Sequence, residues 1–443
     1  MTICNTTLKN KNKKKLLIYG FSSKNEADII NELVARNNVE VVAFLNSRFS
    51  KEYLGNINHC KLKNYQSNKC PIELYNKIIP FFAEFFFCRV RPKQIYLQRE
   101  KYYDYIDFFA NYVNFFYDIL STRKVDVVFF ANIPHLGPDY ILYNLAQLMG
   151  IKTYFFYQTL FPNKFIYCDK IENIGVFEGK QSNNDDFYEI KNTFEKDLFY
   201  MHRGSSIFSK IKRKFRWISI NRSIITLTYL LKFPFELAYK WRLKRAITHN
   251  IDFEKKFVYF ALHLQPEATT NPMGNIYADQ TLAIEHLRQK LPPDWYIYIK
   301  ENPYQDEFRR GRLFFERIKK LPNTFIVPSE TNTYHLLKKC QFAATITGTV
   351  GWETISGGKK ALVFGDTWYD KLPGVFKFTK DFDVNHLLNY TFNHDSLQNE
   401  FNRLYNSFAN GIIGQGYIKI YPKYNNDINK KMVAEFIEKL ANT

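Results

Sequence analysis

Short apolar runs alternate with helical patterns along this chain in two successive series. In the first, Lys15-Leu16-Leu17-Ile18-Tyr19-Gly20 predicts a strand, residues 26–35 a helix and 39–45 a second strand. Residues 71–120 are aromatic and read as helical. A buried strand follows at 125–130, a helix at 139–149 and a further strand at 150–156. The second series begins at 257. Its apolar runs are 257–262, 295–299, 324–327, 342–346 and 361–364, with helical periodicity over 278–291, 308–320, 332–339 and 350–356. Strands that alternate with helices in this way build parallel sheets. Residues 391–443 read as helices with loops.

The pattern predicts an α/β fold with two Rossmann-like domains facing a cleft. A length of 443 residues, too great for one ordinary core, points the same way. We expect an N-terminal domain over 1–200, a basic aromatic linker over 201–250 and a C-terminal domain over 251–390. The tail, 391–443, is able to cross back onto the first domain.

Composition narrows the class. Hydrophobic residues make up 46% and aromatics 18%, which excludes a disordered chain. The net charge of +19 and pI near 9.4 favour an anionic partner. Nucleic acid, an anionic membrane surface and a phosphorylated substrate all qualify, with nucleic acid the least favoured. Six cysteines are scattered without metal-ligand spacing, so no metal is expected. No apolar stretch approaches the ~18 residues of a membrane span, and the N-terminal apolar run is too short for a signal peptide. A cytoplasmic protein, soluble or peripheral on the membrane's inner face, is the expectation.

Chemistry-bearing residues gather at predicted strand ends, where open α/β sheets bind ligands. The run 257–262 ends at His263, Gln265 and Glu267, which share one side if the strand persists to Pro266. Glu267 suits a general base, a nucleophile or a hydroxyl acceptor; Gln265 and Glu267 equally suit loop-backbone contacts. The next strand ends in Lys300-Glu301-Asn302-Pro303, where Lys300 fits a phosphate or plain solvent. Thr345 to Glu353 reads as a strand, a small-residue turn and a helix start. Gly348 and Gly351 allow close approach, Thr347 and Thr349 add hydroxyls, and the helix end attracts phosphate. A tightly packed helix cap fits as well. Glu353 suits a ribose hydroxyl or a capping box. Asp366, in Gly365-Asp366-Thr367-Trp368-Tyr369 after what reads as the domain's last strand, suits sugar or base binding. In the first domain His135 and Gln158 stand at strand ends on the acceptor side. Cations from Lys210 to Arg245 interleave with aromatics such as Phe215, Trp217 and Trp241. That suits an anionic bilayer, nucleic acid or a solvated helix face.

The ordered motifs HLQPEATTNP, KENP, ATITGTVGWE and GGKKALVFGDTWY resemble bacterial capsule polysaccharide biosynthesis proteins, Kdo transferases among them, over about residues 255–375. The resemblance implies a metal-independent GT-B glycosyltransferase without a cofactor beyond its nucleotide-sugar substrate, a CMP-linked acidic sugar as first guess. A glycan or glycolipid would be the acceptor. It also implies a phosphate contact at Lys300 to Pro303, with Asn302 where the family has His. Gly348, Thr349 and Glu353 match the nucleotide turn, and Gln265 and Glu267 the cleft motif. Tyr157-Gln158-Thr159 departs from the pattern, because the Kdo transferases carry an acidic Glu-Asp-Gly there. A glycerophosphate or polyol-phosphate transferase using a CDP-linked donor is the alternative enzyme. A nucleic-acid-binding protein is the alternative outside enzymes.

Overall fold

The computed structural model describes residues 13–47, 67–89, 101–177, 186–192, 234, 237–265, 270–303, 305 and 310–443. Two compact units emerge. Unit 1 draws on residues 1–85, 101–170 and 408–443, and unit 2 on 86–100 and 171–407.

Unit 1 holds β1 (Lys15–Tyr19), β2 (Glu40–Leu45), β3 (Val127–Phe130), β4 (Lys152–Gln158), β5 (Lys164–Cys168) and the last strand of the chain, β12 (Ala409–Asn410). Their order is β12-β5-β4-β3-β1-β2. The four strands from β4 to β2 run parallel, and β5 and β12 pair antiparallel. Alternation along β1 divides the core. Leu16 and Ile18 pack with Ile30 and Leu33 of α1 (Lys24–Arg36) and with Val433 and Ile437 of the C-terminal helix Asn426–Asn442. Tyr19 turns the other way, onto Phe116 of α2 (Tyr102–Thr122) and onto Phe130. Phe130 in turn meets Tyr143 of α3 (Pro138–Leu148). Coverage of both faces explains why β3, Val-Val-Phe-Phe, is apolar at every position.

Unit 2 holds β6 (Phe257–Ala261), β7 (Tyr296–Lys300), β8 (Thr324–Val327), β9 (Phe342–Thr345), β10 (Ala361–Val363) and β11 (Val375–Lys377), ordered β11-β10-β9-β6-β7-β8 and all parallel. Its helices include α4 (Gln280–Lys290), α5 (Arg312–Lys319), α6 (Thr333–Lys339) and α7 (Thr349–Ser356). Residues 237–246 are helical and seat Tyr239 against Phe315. The earlier part of the predicted basic stretch, 210–233, lies outside the described residues. No helix among them is long and apolar enough to cross a membrane.

Three expectations change. β6 stops at Ala261, so strand alternation does not reach Gln265. The run at 361–364 is not the last strand, because β11 follows it. β5 and β12 were not legible as strands at all. Each sheet also reverses its strand order once, between β1 and β3 in unit 1 and between β6 and β9 in unit 2. Ligands of open α/β sheets bind outside the carboxyl ends of the strands at such a point.

Candidate functional site

At the unit-2 reversal the crevice is bridged from within. His263, two residues past β6, is buried, and its Nε2 lies 2.8 Å from Thr345 Oγ1 at the end of β9. The Thr347 backbone N–H donates to the same nitrogen at 3.3 Å. Gln280 closes the other side: its side-chain oxygen accepts from the His263 N–H at 2.8 Å, and its amide donates to the His263 carbonyl at 3.2 Å. Burial and the nearby Arg310 charge lower the His263 pKa to about 4, so the ring is neutral near pH 7.

Arg310 organises the neighbouring strand end. Its Nε meets Glu301 at 2.9 Å, Nη1 donates to the Gln265 side-chain oxygen at 2.5 Å and Nη2 to the His263 carbonyl at 3.0 Å. Gln265 also donates to the Ala278 carbonyl and receives the Gln305 side-chain oxygen at its own N–H. Arg310 and Gln305 did not stand out in the sequence, since no motif surrounds them, and Glu301 stood there only as part of Lys300-Glu301-Asn302-Pro303. Two of the three polar residues predicted to leave β6 together, His263 and Gln265, therefore brace the sheet edge. Glu267 lies outside the described residues.

Lys300 sits at the end of β7. Its ammonium donates to the Thr331 carbonyl at 2.6 Å and to Thr333 Oγ1 at 2.8 Å, and burial lowers its pKa. Thr333 also hydrogen-bonds Tyr259, whose hydroxyl is raised in pKa by burial and by the Glu353 charge. Glu353 is buried two positions past Gly351, the helix position at which a capping-box acid would stand, so that alternative fails. Asn302 donates its backbone N–H to Glu301 at 2.8 Å.

The small-residue turn is packed closely on the inner side. A Cβ at Gly348 would stand 2.7 Å from Thr345 Oγ1 and 2.9 Å from His263 Nε2; one at Gly351 would stand 2.7 Å from the Tyr369 ring. Tyr369 donates its hydroxyl to the Gly348 carbonyl. Thr347 and Gly351 are buried, while Gly348 and Thr349 are partly exposed. The Gly348 N–H is held by Thr345 Oγ1 at 3.3 Å. Gly348 is the N-cap of α7 and places no side chain over the helix's first amides. Asp366 pairs with Lys377, which also reaches Asp370 at 3.6 Å. A larger hollow of about 730 Å³, between Arg288 and Lys320, lies at the opposite, amino edge of β7 and β8.

Unit 1 differs at its reversal. A cavity of about 300 Å³ opens there, lined by Gly20 after β1 and by Ala131 and Asn132 after β3. His135 and Gln158 both line it. Gln158 is also a structural tie, since its side-chain oxygen accepts from the Ile413 N–H at 2.8 Å and its amide donates to the Lys164 carbonyl at 2.9 Å. Among the described residues, no three His, Cys, Asp or Glu side chains gather to hold a metal ion.

Residues 233–383 match the family described as capsule polysaccharide biosynthesis protein. No curated protein matches the chain. Among solved structures it is similar to the beta Kdo 2,7 transferase of Thermosulfurimonas dismutans KpsC, at 9% identity and TM-score 0.36, over 96% of this chain and 100% of that one. It is also similar to the UDP-GlcNAc 2-epimerase of Neisseria meningitidis, at 12% identity and TM-score 0.23, over 97% and 100%. Backbones that superpose so loosely leave the assignment to the sequence match. The match over residues 233–383 spans β6 to β11, about a third of the chain, and makes that segment similar to capsule polysaccharide biosynthesis proteins.

Proposed function

We propose that this chain is a glycosyltransferase that moves a sugar from a nucleotide donor to a glycan or glycolipid acceptor in capsule polysaccharide synthesis. The family match over 233–383 carries the reading, because it covers the sheet whose carboxyl edge collects His263, Lys300 and the 345–353 turn. Donor phosphate is assigned to the amino end of α7, where Gly348 leaves the Thr349 side open and the helix dipole favours negative charge. A CMP-linked acidic sugar such as Kdo is the first donor to try. Glu267 is the proposed carboxylate acting on the donor or on an acceptor hydroxyl. In such a transfer, positive dipoles held at the leaving phosphate stabilise its developing charge.

A thermal-shift panel of CMP, CDP, UDP and GDP tests this. A nucleotide at a hundred times its Kd adds about 2.7 kcal/mol to folding stability. A cytidine nucleotide is expected to give the largest rise. A flat response to all four overturns the proposal.

A further inference from the structure

We propose that the unit-1 cavity binds a neutral sugar or polyol and rejects an anionic one. The position supports a ligand site, since the cavity lies at the strand-order reversal beyond the ends of β1 and β3. Its size, about 300 Å³, is at the small end of ligand pockets. Tyr157 and Tyr417, both partly exposed, provide aromatic surface, and Ser22, Asn46 and Asn132 provide hydroxyl and amide groups. Sugars present the same two kinds of surface.

Charge decides the class. The chain has 62 Lys and Arg, yet neither type is among the described residues lining this cavity. Two helices start at its wall, and open helix starts attract anions. Here each start already holds a carboxyl group from the chain, and burial raises the pKa of the one at Asp139. Glu26 accepts from the Ser22 and Ser23 N–H groups at 2.8 and 2.6 Å. Asp139 accepts from the N–H groups of His135, Leu136 and Tyr140 at 2.9, 2.6 and 2.9 Å. Both acids line the cavity. The N–H groups of Ser22, Ser23, His135, Leu136 and Tyr140 are therefore occupied, and a bound anion meets two acidic groups beside them.

His135 supplies a directional contact. Its Nδ1 is 2.5 Å from the Ile133 carbonyl, and a carbonyl only accepts. Nδ1 therefore carries a proton, which leaves Nε2 to meet a ligand hydroxyl. This inference rests on the transferase reading only in naming the bound sugar the acceptor.

The test is calorimetric titration of the full chain, without nucleotide, using matched pairs: methyl β-glucoside with methyl β-glucuronide, and methyl β-galactoside with methyl β-galacturonide. At least one neutral glycoside is expected to saturate the chain and to bind at least about tenfold tighter than its uronide, the effect of ~1.4 kcal/mol. Glu26→Gln keeps the helix cap, because Gln also completes a capping box; it is expected to narrow that gap with the unfolding temperature retained. His135→Ala is expected to weaken the neutral glycoside. Equal or tighter uronide binding overturns the inference. So does the absence of binding at tens of millimolar, or an unchanged gap in Glu26→Gln. A nucleotide thermal shift that persists in any of these cases leaves the transferase proposal standing.

Discussion

Arg310 Nε lies 2.9 Å from a carboxylate oxygen of Glu301, and the two side chains are only 2% and 7% exposed. The pair also ties Gln265 and the His263 carbonyl to the end of β7. It fixes the edge from which the proposed donor site is built.

Removing one partner strands a buried charge, which costs roughly 3–5 kcal/mol. Arg310→Met is therefore expected to lose that much in urea denaturation. Adding Glu301→Gln to it is expected to restore more than half. A single-variant loss below about 1 kcal/mol, the scale of a surface pair, contradicts the buried-pair account.

His263 gives a pH signature. Its folded pKa is about 4, against 6.5 ordinarily. Between those values the unfolded chain binds the extra proton, so stability falls as pH drops from about 6.5 towards 4. The contribution is about 3 kcal/mol, present in full above pH 6.5 and gone below pH 4. Melting temperatures of wild type and His263→Asn, measured from pH 7.5 to 4.5, should converge towards the acid end. Parallel curves rule the group out.

Gly351 faces Tyr369. An added methyl would meet the ring at 2.7 Å. Gly351→Ala is expected to cost about 1–3 kcal/mol through overpacking and to reduce any nucleotide-induced shift. Tyr369→Phe removes one hydrogen bond, worth about 1 kcal/mol. Gly351→Ala with wild-type stability and nucleotide response shows that Tyr369 yields freely.

Asn25 of α1 donates to the carbonyls of Ile412 and Ile413 at 3.0 and 2.9 Å and is 4% exposed. Asn25→Ala takes this donor from the Ile413 carbonyl, while Ile412 keeps its bond from Asn429, and is expected to cost about 1–3 kcal/mol. Faster hydrogen exchange should concentrate in 408–443. Uniform exchange across unit 1 speaks against a local tie.

Leu237 and Trp241 are 50% and 58% exposed, one helical turn apart. Lys240, Lys244 and Arg245 are exposed beside them, and the Arg245 guanidinium stacks 4.3 Å from the Trp241 ring. Such a face suits an anionic bilayer. Trp241→Ala is expected to weaken co-sedimentation with phosphatidylserine vesicles severalfold. Equal binding to purely zwitterionic vesicles excludes the electrostatic part.

Much of the scaffold was legible. β1 to β4 and β6 to β10 are apolar runs whose neighbours along the chain already imply a covered sheet. β12 was not, because two residues, Ala409 and Asn410, become a strand only by pairing with β5. In the site, polar groups at strand ends were visible, but their partners were not. The Tyr157-Gln158-Thr159 segment illustrates this: Gln158 reads as an acceptor-side group, and its oxygen holds an N–H 255 positions away.

The sequence by itself determined the two βα series, the aromatic covered cores and the gathering of polar residues at carboxyl edges, because periodicity and strand apolarity are local properties. Tertiary structure alone decided which polar groups meet. His263 and Thr345 are 82 residues apart along the chain and in contact at 2.8 Å, and no pattern along a chain encodes that approach. The same holds for the contrast between the two sheet reversals. One is bridged by its own side chains and the other opens into a cavity, and that depends on strand order, which neighbouring residues do not specify.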